Sequence, residues 1–94
     1  MIDKKHALAL IDDDPKILEL TAKYLTDNSF IVHTGKSGKE LDEVLRKYGA
    51  DLIILDLMMP EESGLQICQR LRVNEVTVPI IMLTAKGDEV DRIV

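Results

Sequence analysis

Several residue types are scarce in this chain, and each scarcity excludes a class of protein. The single cysteine, Cys68, can form neither an internal disulfide nor a zinc site built from paired cysteines, which is typical of cytoplasmic proteins. Uninterrupted apolar runs reach only about five residues, whereas a membrane-spanning helix needs about 20. The formal charge of −5 at pH 7 leaves no basic excess for binding phosphate backbones. We therefore predict a cytoplasmic protein, of which this segment binds neither membranes nor nucleic acid.

Four short apolar runs alternate with segments of helical periodicity. The runs lack the in-and-out alternation of a half-exposed strand, so they predict strands buried on both faces, as in a parallel sheet. They occupy residues 7–11, 30–32, 52–55 and 79–83. This alternation predicts an α/β fold with right-handed crossovers and a doubly wound sheet, in a single domain over residues 1–94.

The helical segments open with recognisable start signals. Asp14 can cap a first helix that has Pro15 at its first position, and Ser37 and Ser63 can cap a second and a third. A glutamate or a glutamine follows each serine at the spacing of a capping box: Glu40 and Gln66.

The apolar sides of these helices are expected to cover the sheet. The predicted apolar face of the first helix consists of Ile17, Leu18, Thr21, Tyr24 and Leu25. Cys68 lies on the apolar side of the third helix, so we interpret it as a core residue and not as a reactive thiol. Residues 87–94 have the pattern of the start of a fourth helix.

The first and third predicted strands each run directly into aspartate residues, namely Asp12 and Asp13 after the first and Asp56 after the third. In a parallel sheet of this kind, ligands bind beyond the carboxyl ends of the strands, where these carboxylates are expected to converge. Their mutual repulsion requires an offsetting cation or protonation, and Mg²⁺ with oxygen ligands is the simplest cation. A carboxylate held beside Mg²⁺ can attack phosphorus and form an acyl phosphate.

Two further pairs of residues flank this predicted site. Thr84 adds a hydroxyl donor after the fourth strand, and Ala85 beside it is small enough to leave room for a phosphoryl group. Glu61 and Glu62 precede the third helix, where the helix macrodipole favours acidic residues.

Taken together, these segments resemble the receiver domains of two-component response regulators. The resemblance covers the whole chain and rests on LIDDD at 10–14, DLIILDLMMP at 51–60, SGL at 63–65 and PIIMLTA at 79–85, in the family's order and spacing. It implies a flavodoxin-like fold similar to that of the chemotaxis regulator, with strand order 2-1-3-4. It also implies a regulatory phosphoacceptor domain, not an enzyme, whose phosphoryl donor is a sensor histidine kinase.

The resemblance also implies roles for particular residues. Asp56 is the implied phosphoacceptor, and Asp13, Asp56 and the main-chain carbonyl of Met58 are the implied Mg²⁺ ligands. Asp12 is expected to assist largely through water, and Thr84 is the implied switch hydroxyl. Residues 86–94 are similar to the fourth helix of regulators that carry a winged-helix DNA-binding domain, which implies control of transcription through a domain outside this segment.

The chain departs from the family's pattern at its end. Complete receivers continue through a fifth strand, whose lysine pairs with the phosphoryl group, and a fifth helix; Lys86 lies too early to be that lysine. We therefore expect a truncated receiver in which phosphorylation of Asp56 is slow or absent. The fourth strand, residues 80–83, is then expected to be an exposed apolar edge that pairs with another copy as a homodimer or a swapped oligomer.

Two alternatives remain open from the residues. Phosphatases of the haloacid-dehalogenase type also carry two aspartates two positions apart after the first strand, as in Asp12 and Asp14, but Lys16 departs from their pattern and Asp56 has no role in it. The other alternative is a fragment that is not phosphorylated and serves only as an interaction or self-association scaffold.

Overall fold

The computed structural model of the chain describes residues 5–83 and 92–93, which form an α/β fold. Its strands are β1 (Ala7–Ile11), β2 (Ile31–Gly35), β3 (Leu52–Asp56), β4 (Ile80–Leu83) and the two-residue β5 (Arg92–Ile93). Its helices are α1 (Pro15–Asp27), α2 (Gly38–Lys47) and α3 (Gly64–Val73). The predicted alternation of strands and helices is confirmed, although β2 begins one residue later than predicted and ends three residues later.

The strands form one sheet in the order β2-β1-β3-β4-β5. β1 pairs in parallel with β2 and with β3, and β3 pairs in parallel with β4. The implied order 2-1-3-4 of the parallel strands is therefore confirmed. Each pair of consecutive parallel strands is joined by a helix, as a parallel connection requires.

The strand β5 corrects two expectations from the sequence. Arg92 and Ile93 lie in an antiparallel strand where the sequence pattern predicts helix, and they pair with Met82 and Ile81 of β4. The edge of β4 is thus partly covered, so the expectation of a fully open edge is wrong, because backbone pairing with β5 satisfies groups that an edge strand exposes. The other residues of the predicted fourth helix lie outside the described part of the chain.

The helix starts follow the predicted capping chemistry. The Asp14 carboxylate accepts hydrogen bonds from first-turn N–H groups of α1, and Pro15 occupies the first helical position. Ser63 and Gln66 form a complete capping box at the start of α3. These contacts satisfy N–H groups that have no partner within the helix itself.

The capping box predicted for α2 is only half formed. The Ser37 hydroxyl accepts a hydrogen bond from the N–H of Glu40 at 3.1 Å, as expected. The Glu40 carboxylate, however, accepts from the N–H of Lys36 at 2.9 Å and not from that of Ser37. The side chain therefore reaches one residue further back and secures the turn that enters the helix.

The main core lies between one face of the sheet and the helices α2 and α3. From the strands it includes Ala9, Ile11, Ile53, Leu55, Ile80 and Met82. From the two helices it includes Leu41, Val44, Ile67, Cys68 and Leu71. The interpretation of Cys68 as a core residue is thus confirmed.

The opposite face of β3 and β4 is less completely covered. Ile54 and Ile81 are half-buried there, so the two strands alternate between buried and half-buried positions. The prediction of burial on both faces is wrong for β2, an edge strand whose Ile31 is 44% exposed. It is also wrong for β3 and β4. The physical reason is that α1 packs chiefly against β1 and β2, which leaves the half of the sheet around β3 and β4 less shielded.

The helix α1 is itself only partly buried. Leu18 is the buried residue of this helix, whereas Ile17 and Tyr24, which the helical pattern assigns to the same apolar face, are 49% and 68% exposed. With 13 residues, α1 is the longest helix in the described ranges. None of the helices in those ranges is long and apolar enough to cross a membrane.

Candidate functional site

Three aspartates meet beyond the carboxyl ends of β1 and β3. Asp12, Asp13 and Asp56 each place a carboxylate oxygen within 4.8 Å of the other two. Asp12 and Asp56 are 9% and 7% exposed, whereas Asp13 faces solvent. The sequence-based expectation that these three side chains converge agrees with this geometry.

Backbone contacts of β1 place Asp12 at this rim. The strand β1 lies between β2 and β3, so a neighbouring strand on each side fixes the position at which Asp12 begins. The Asp12 N–H donates to the carbonyl of Gly35 at 3.1 Å, and its Oδ1 accepts from the N–H of Asp14 at 2.9 Å. Asp14 in turn caps α1, so one short turn positions the site and starts the helix.

Asp56 is held by the loop that follows β3. Its Oδ1 accepts a hydrogen bond from the N–H of Met58 at 3.0 Å. The N–H of Leu57 donates to Leu83 of β4 at 2.9 Å, and the N–H of Gly64 donates to the carbonyl of Leu57 at 3.0 Å. These bonds tie the loop to the neighbouring strand and to the start of α3, which restricts where the Asp56 carboxylate can lie.

Burial raises the pKa of the Asp56 carboxyl above its ordinary value of 3.8. The hydrogen bond from Met58 opposes this rise, while the negative charges of Asp12 and Asp13 add to it. A nearly buried carboxylate beside two others is therefore an unfavourable arrangement of charge unless a cation binds. The carboxylate oxygens fit Mg²⁺, a hard cation that prefers oxygen ligands and keeps part of its water shell.

This electrostatic cost predicts how stability depends on pH in the absence of divalent ions. Since the pKa of Asp56 is higher in the folded chain than in the unfolded chain, the folded state binds more protons between the two values, and stability falls as pH rises through that window. Asp56→Asn is therefore expected to stabilise the chain more at pH 7 than at pH 3.5. Urea denaturation at both values checks this, with the exposed Glu43→Gln as control. An equal effect of Asp56→Asn at both values would contradict it.

The aspartates line an open cleft of about 480 Å³. Met58 and Ile17 lie on its wall, together with Leu83 at the end of β4. The predicted switch hydroxyl Thr84 and the small residue Ala85 follow directly in sequence but lie outside the described residues. Their predicted roles therefore stay predictions.

An ion-pair cluster at the base of the β3–α3 loop has no recognisable signal in the sequence. Glu62 is explained in the sequence by the macrodipole of α3, yet its carboxylate pairs with Arg70 at 2.8 Å, and Arg70 also contacts Asp42 of α2 at 2.9 Å. The partners are eight and 28 residues apart, so no spacing rule for one helix or strand reveals them.

Comparison with known proteins gives one consistent result. The family described as response regulator receiver domain matches residues 8–94. The transcriptional regulatory protein SrrA of Staphylococcus aureus is 41% identical over 88 residues, which cover 94% of this chain. The same alignment covers only 36% of SrrA, so the chain corresponds to about a third of that relative's length.

Solved structures agree with the sequence comparison. A response regulator from Chloroflexus aurantiacus superposes with a TM-score of 0.80 at 34% identity, covering 92% of this chain and 72% of that one. The receiver domain of RstA from Klebsiella pneumoniae, solved in a BeF3-activated form, superposes with a TM-score of 0.78 at 30% identity, covering 88% and 70%.

Proposed function

The chain belongs to the response regulator receiver domain family, and on that premise we propose that it accepts a phosphoryl group on Asp56 in a Mg²⁺-dependent reaction. The observation that carries the proposal is the meeting of Asp12, Asp13 and Asp56 within 4.8 Å in the cleft at the carboxyl ends of the strands. Asp56 is the proposed acceptor because it is the most enclosed of the three and ends β3 beside Leu83 of β4.

The proposed metal ligands are carboxylate oxygens of Asp13 and Asp56 and the main-chain carbonyl of Met58, with Asp12 acting largely through water. When bound, Mg²⁺ neutralises negative charge that would otherwise repel an incoming phosphoryl group. Met58 lines the same cleft as the three aspartates, which supports its inclusion. Thr84 and Ala85 remain the proposed switch hydroxyl and the small neighbour of the phosphoryl group.

The proposed donor is a phosphohistidine of a sensor kinase. A carboxylate oxygen of Asp56 attacks the phosphorus, an O–P bond forms as the N–P bond breaks, and the histidine nitrogen leaves with the electron pair. The chain's own residues hold the acceptor in place. The N–H of Met58 fixes one oxygen of Asp56, and the backbone of Leu57 anchors the loop to β4.

The proposed output is control of transcription in the whole protein. SrrA is named a transcriptional regulatory protein, and this chain, which matches the receiver family, aligns with 36% of its length. A winged-helix DNA-binding domain outside this segment remains the proposed effector, and the cytoplasm remains the proposed location. A domain of this kind is a regulatory phosphoacceptor and not a classical enzyme.

Pairing with β5 removes part of the reason for expecting self-association. The homodimer or swapped oligomer was motivated by an open β4 edge, and Ile81 and Met82 of that edge pair with β5. The dimer itself stays a prediction, which sedimentation at several protein concentrations tests. The next experiment distinguishes phosphorylation of Asp56 from the alternative, a scaffold that is never phosphorylated.

Prolonged incubation with a small acyl-phosphate donor and Mg²⁺ is expected to add the mass of one phosphoryl group to the chain slowly, and Asp56→Asn is expected to abolish that gain. The physical reason is that the amide of asparagine cannot serve as the nucleophile. Intact-protein mass spectrometry measures the gain, with and without a chelator of divalent ions.

The matched control is Asp27→Asn, which removes an exposed carboxylate at the end of α1 that pairs with Lys23. This variant is expected to be phosphorylated like the parent chain. A phosphoryl group mapped to Asp12 would favour the phosphatase alternative. A parent chain that folds, binds Mg²⁺ and gains no mass would favour the scaffold alternative.

A further inference from the structure

Arg70 of α3 joins three separate parts of the chain. Its Nε and Nη2 donate to the two carboxylate oxygens of Glu62 at 2.8 and 3.1 Å, and its Nη1 donates to Asp42 of α2 at 2.9 Å. The contact with Glu62 is bidentate, the geometry in which a guanidinium and a carboxylate bind most strongly and with a defined orientation. The Arg70 and Glu62 side chains are only 33% and 31% exposed, so this pair is less screened by water than an open surface pair.

Glu62 also lies against the start of α2. A Cβ atom on Gly38, at the start of α2, would collide with a carboxylate oxygen of Glu62 and would crowd the side chain of Ile67. The carboxylate therefore occupies space that only a glycine leaves free. Glu62 is held between the first turn of α2 and the guanidinium on α3.

The segment that Glu62 holds is the β3–α3 loop, residues 57–63, which begins directly after Asp56. Met59 anchors its first half by burial in the core, at 8% exposure. The ion pair with Arg70 anchors its second half. Met58, whose carbonyl is a proposed metal ligand, lies in the same short loop, so its position depends on both anchors.

We propose that Arg70 is a positioning residue, which binds Glu62 and thereby holds the β3–α3 loop so that the carbonyl of Met58 faces the metal site. Its effect on Mg²⁺ rests on the proposed function, whereas its effect on the loop does not. Arg70 itself lies on α3 and is not a proposed metal ligand. Its proposed role is that of an outer-shell residue, which orients a metal ligand without binding the metal.

Removal of Arg70 separates this role from simple electrostatics. Arg70→Gln deletes a positive charge, and Coulomb's law alone then predicts tighter binding of Mg²⁺. Loss of positioning predicts the opposite, a dissociation constant for Mg²⁺ that rises by about tenfold, at the low end of the range for outer-shell partners. Because the chain has no tryptophan, isothermal titration calorimetry is the suitable measurement. Binding as tight as in the parent chain, or tighter, would overturn the proposal.

Three variants serve as matched comparisons. Glu62→Gln breaks the same pair from the loop side and is expected to weaken Mg²⁺ binding similarly, including if Arg70→Gln does not fold. Glu61→Gln and Asp42→Asn each remove one negative charge but leave the Arg70–Glu62 pair intact, and we expect changes in affinity below about twofold, as for charges that are well exposed. A loss in Asp42→Asn as large as in Glu62→Gln would overturn the specific role of the loop contact.

Hydrogen exchange tests the position of the loop in the absence of any metal. In Arg70→Gln the N–H groups of Met58 and Gly64, which hydrogen-bond to Asp56 and Leu57, are expected to exchange with deuterium faster than in the parent chain, while exchange in β1 stays unchanged. If the parent chain gives no Mg²⁺ heat, the proposed function fails, and this exchange measurement still judges the positioning role. Unchanged exchange at both groups would overturn it.

Discussion

Replacing Gly64 with alanine is expected to destabilise the chain by about 3 kcal/mol, as for overpacking at a site that cannot relax. A Cβ atom at this position would lie 2.6 Å from the carbonyl oxygen of Asp56 and 2.9 Å from the Cα of Leu57. Both neighbours are backbone atoms, so relief requires the start of α3 to move away from the end of β3. Helix propensity alone predicts the opposite sign, a gain of at most about 1 kcal/mol.

The same displacement is expected to reach the functional site. The N–H of Gly64 donates to Leu57, and the carbonyl in contact belongs to Asp56 itself, so a shift of α3 moves the proposed phosphoacceptor. Gly64→Ala is therefore expected to weaken Mg²⁺ binding in calorimetry and to lower the urea midpoint. The exposed Gln69→Ala on the same helix is the control, with an expected change within about 0.5 kcal/mol. A Gly64→Ala chain as stable as the control would show that the close approach is not needed.

Truncation of Ile53 is expected to have the largest effect on stability, a loss of about 3–4 kcal/mol in Ile53→Ala. Ile53 is fully buried in the middle of β3, where it is paired with Ala9 and Ile80 of the neighbouring strands. The truncation would leave a cavity in the core between the sheet and the helices α2 and α3, among side chains that are already buried. Such a loss is a large share of the roughly 5–15 kcal/mol that holds a native protein together.

Urea denaturation followed by circular dichroism measures this effect. The midpoint is expected to fall while the slope with urea concentration stays near that of the parent chain, because the same surface is exposed on unfolding. Val73→Ala, at a position 81% exposed at the end of α3, is the matched control and is expected to change stability by less than about 0.5 kcal/mol. A loss below about 1 kcal/mol in Ile53→Ala would show that this site is loosely packed.

Local chemistry explains why the helix starts could be predicted. Asp14, Ser37 and Ser63 each satisfy N–H groups within three residues of themselves, so the information lies in a few adjacent positions. The failure at Glu40 is of the same local kind. Its carboxylate has two N–H groups within reach, and the turn at Lys36 decides which one it accepts from.

Burial was harder to predict because it depends on which element covers which part of the sheet. The runs in β3 and β4 are apolar at every position, yet Ile54 and Ile81 are only half-buried, since α1 covers the other half of the sheet. Tyr24 on α1 is likewise exposed, although the helical pattern assigns it to the apolar face. An apolar pattern states which residues can be buried, and the packing of the helices determines which of them are.

The sequence by itself determined the order of strands and helices from β1 to β4, the three capped helix starts and the three aspartates at the ends of β1 and β3, because each follows from periodicity or from contacts between near neighbours. The tertiary structure alone decided that Glu62, Arg70 and Asp42 meet, that β5 pairs with β4, and that Gly64 lies against the backbone of Asp56. These contacts join segments that are distant along the chain or that approach through backbone atoms. Which residues meet in these contacts is therefore decided by how the elements pack in space, and no local pattern of residues contains that information.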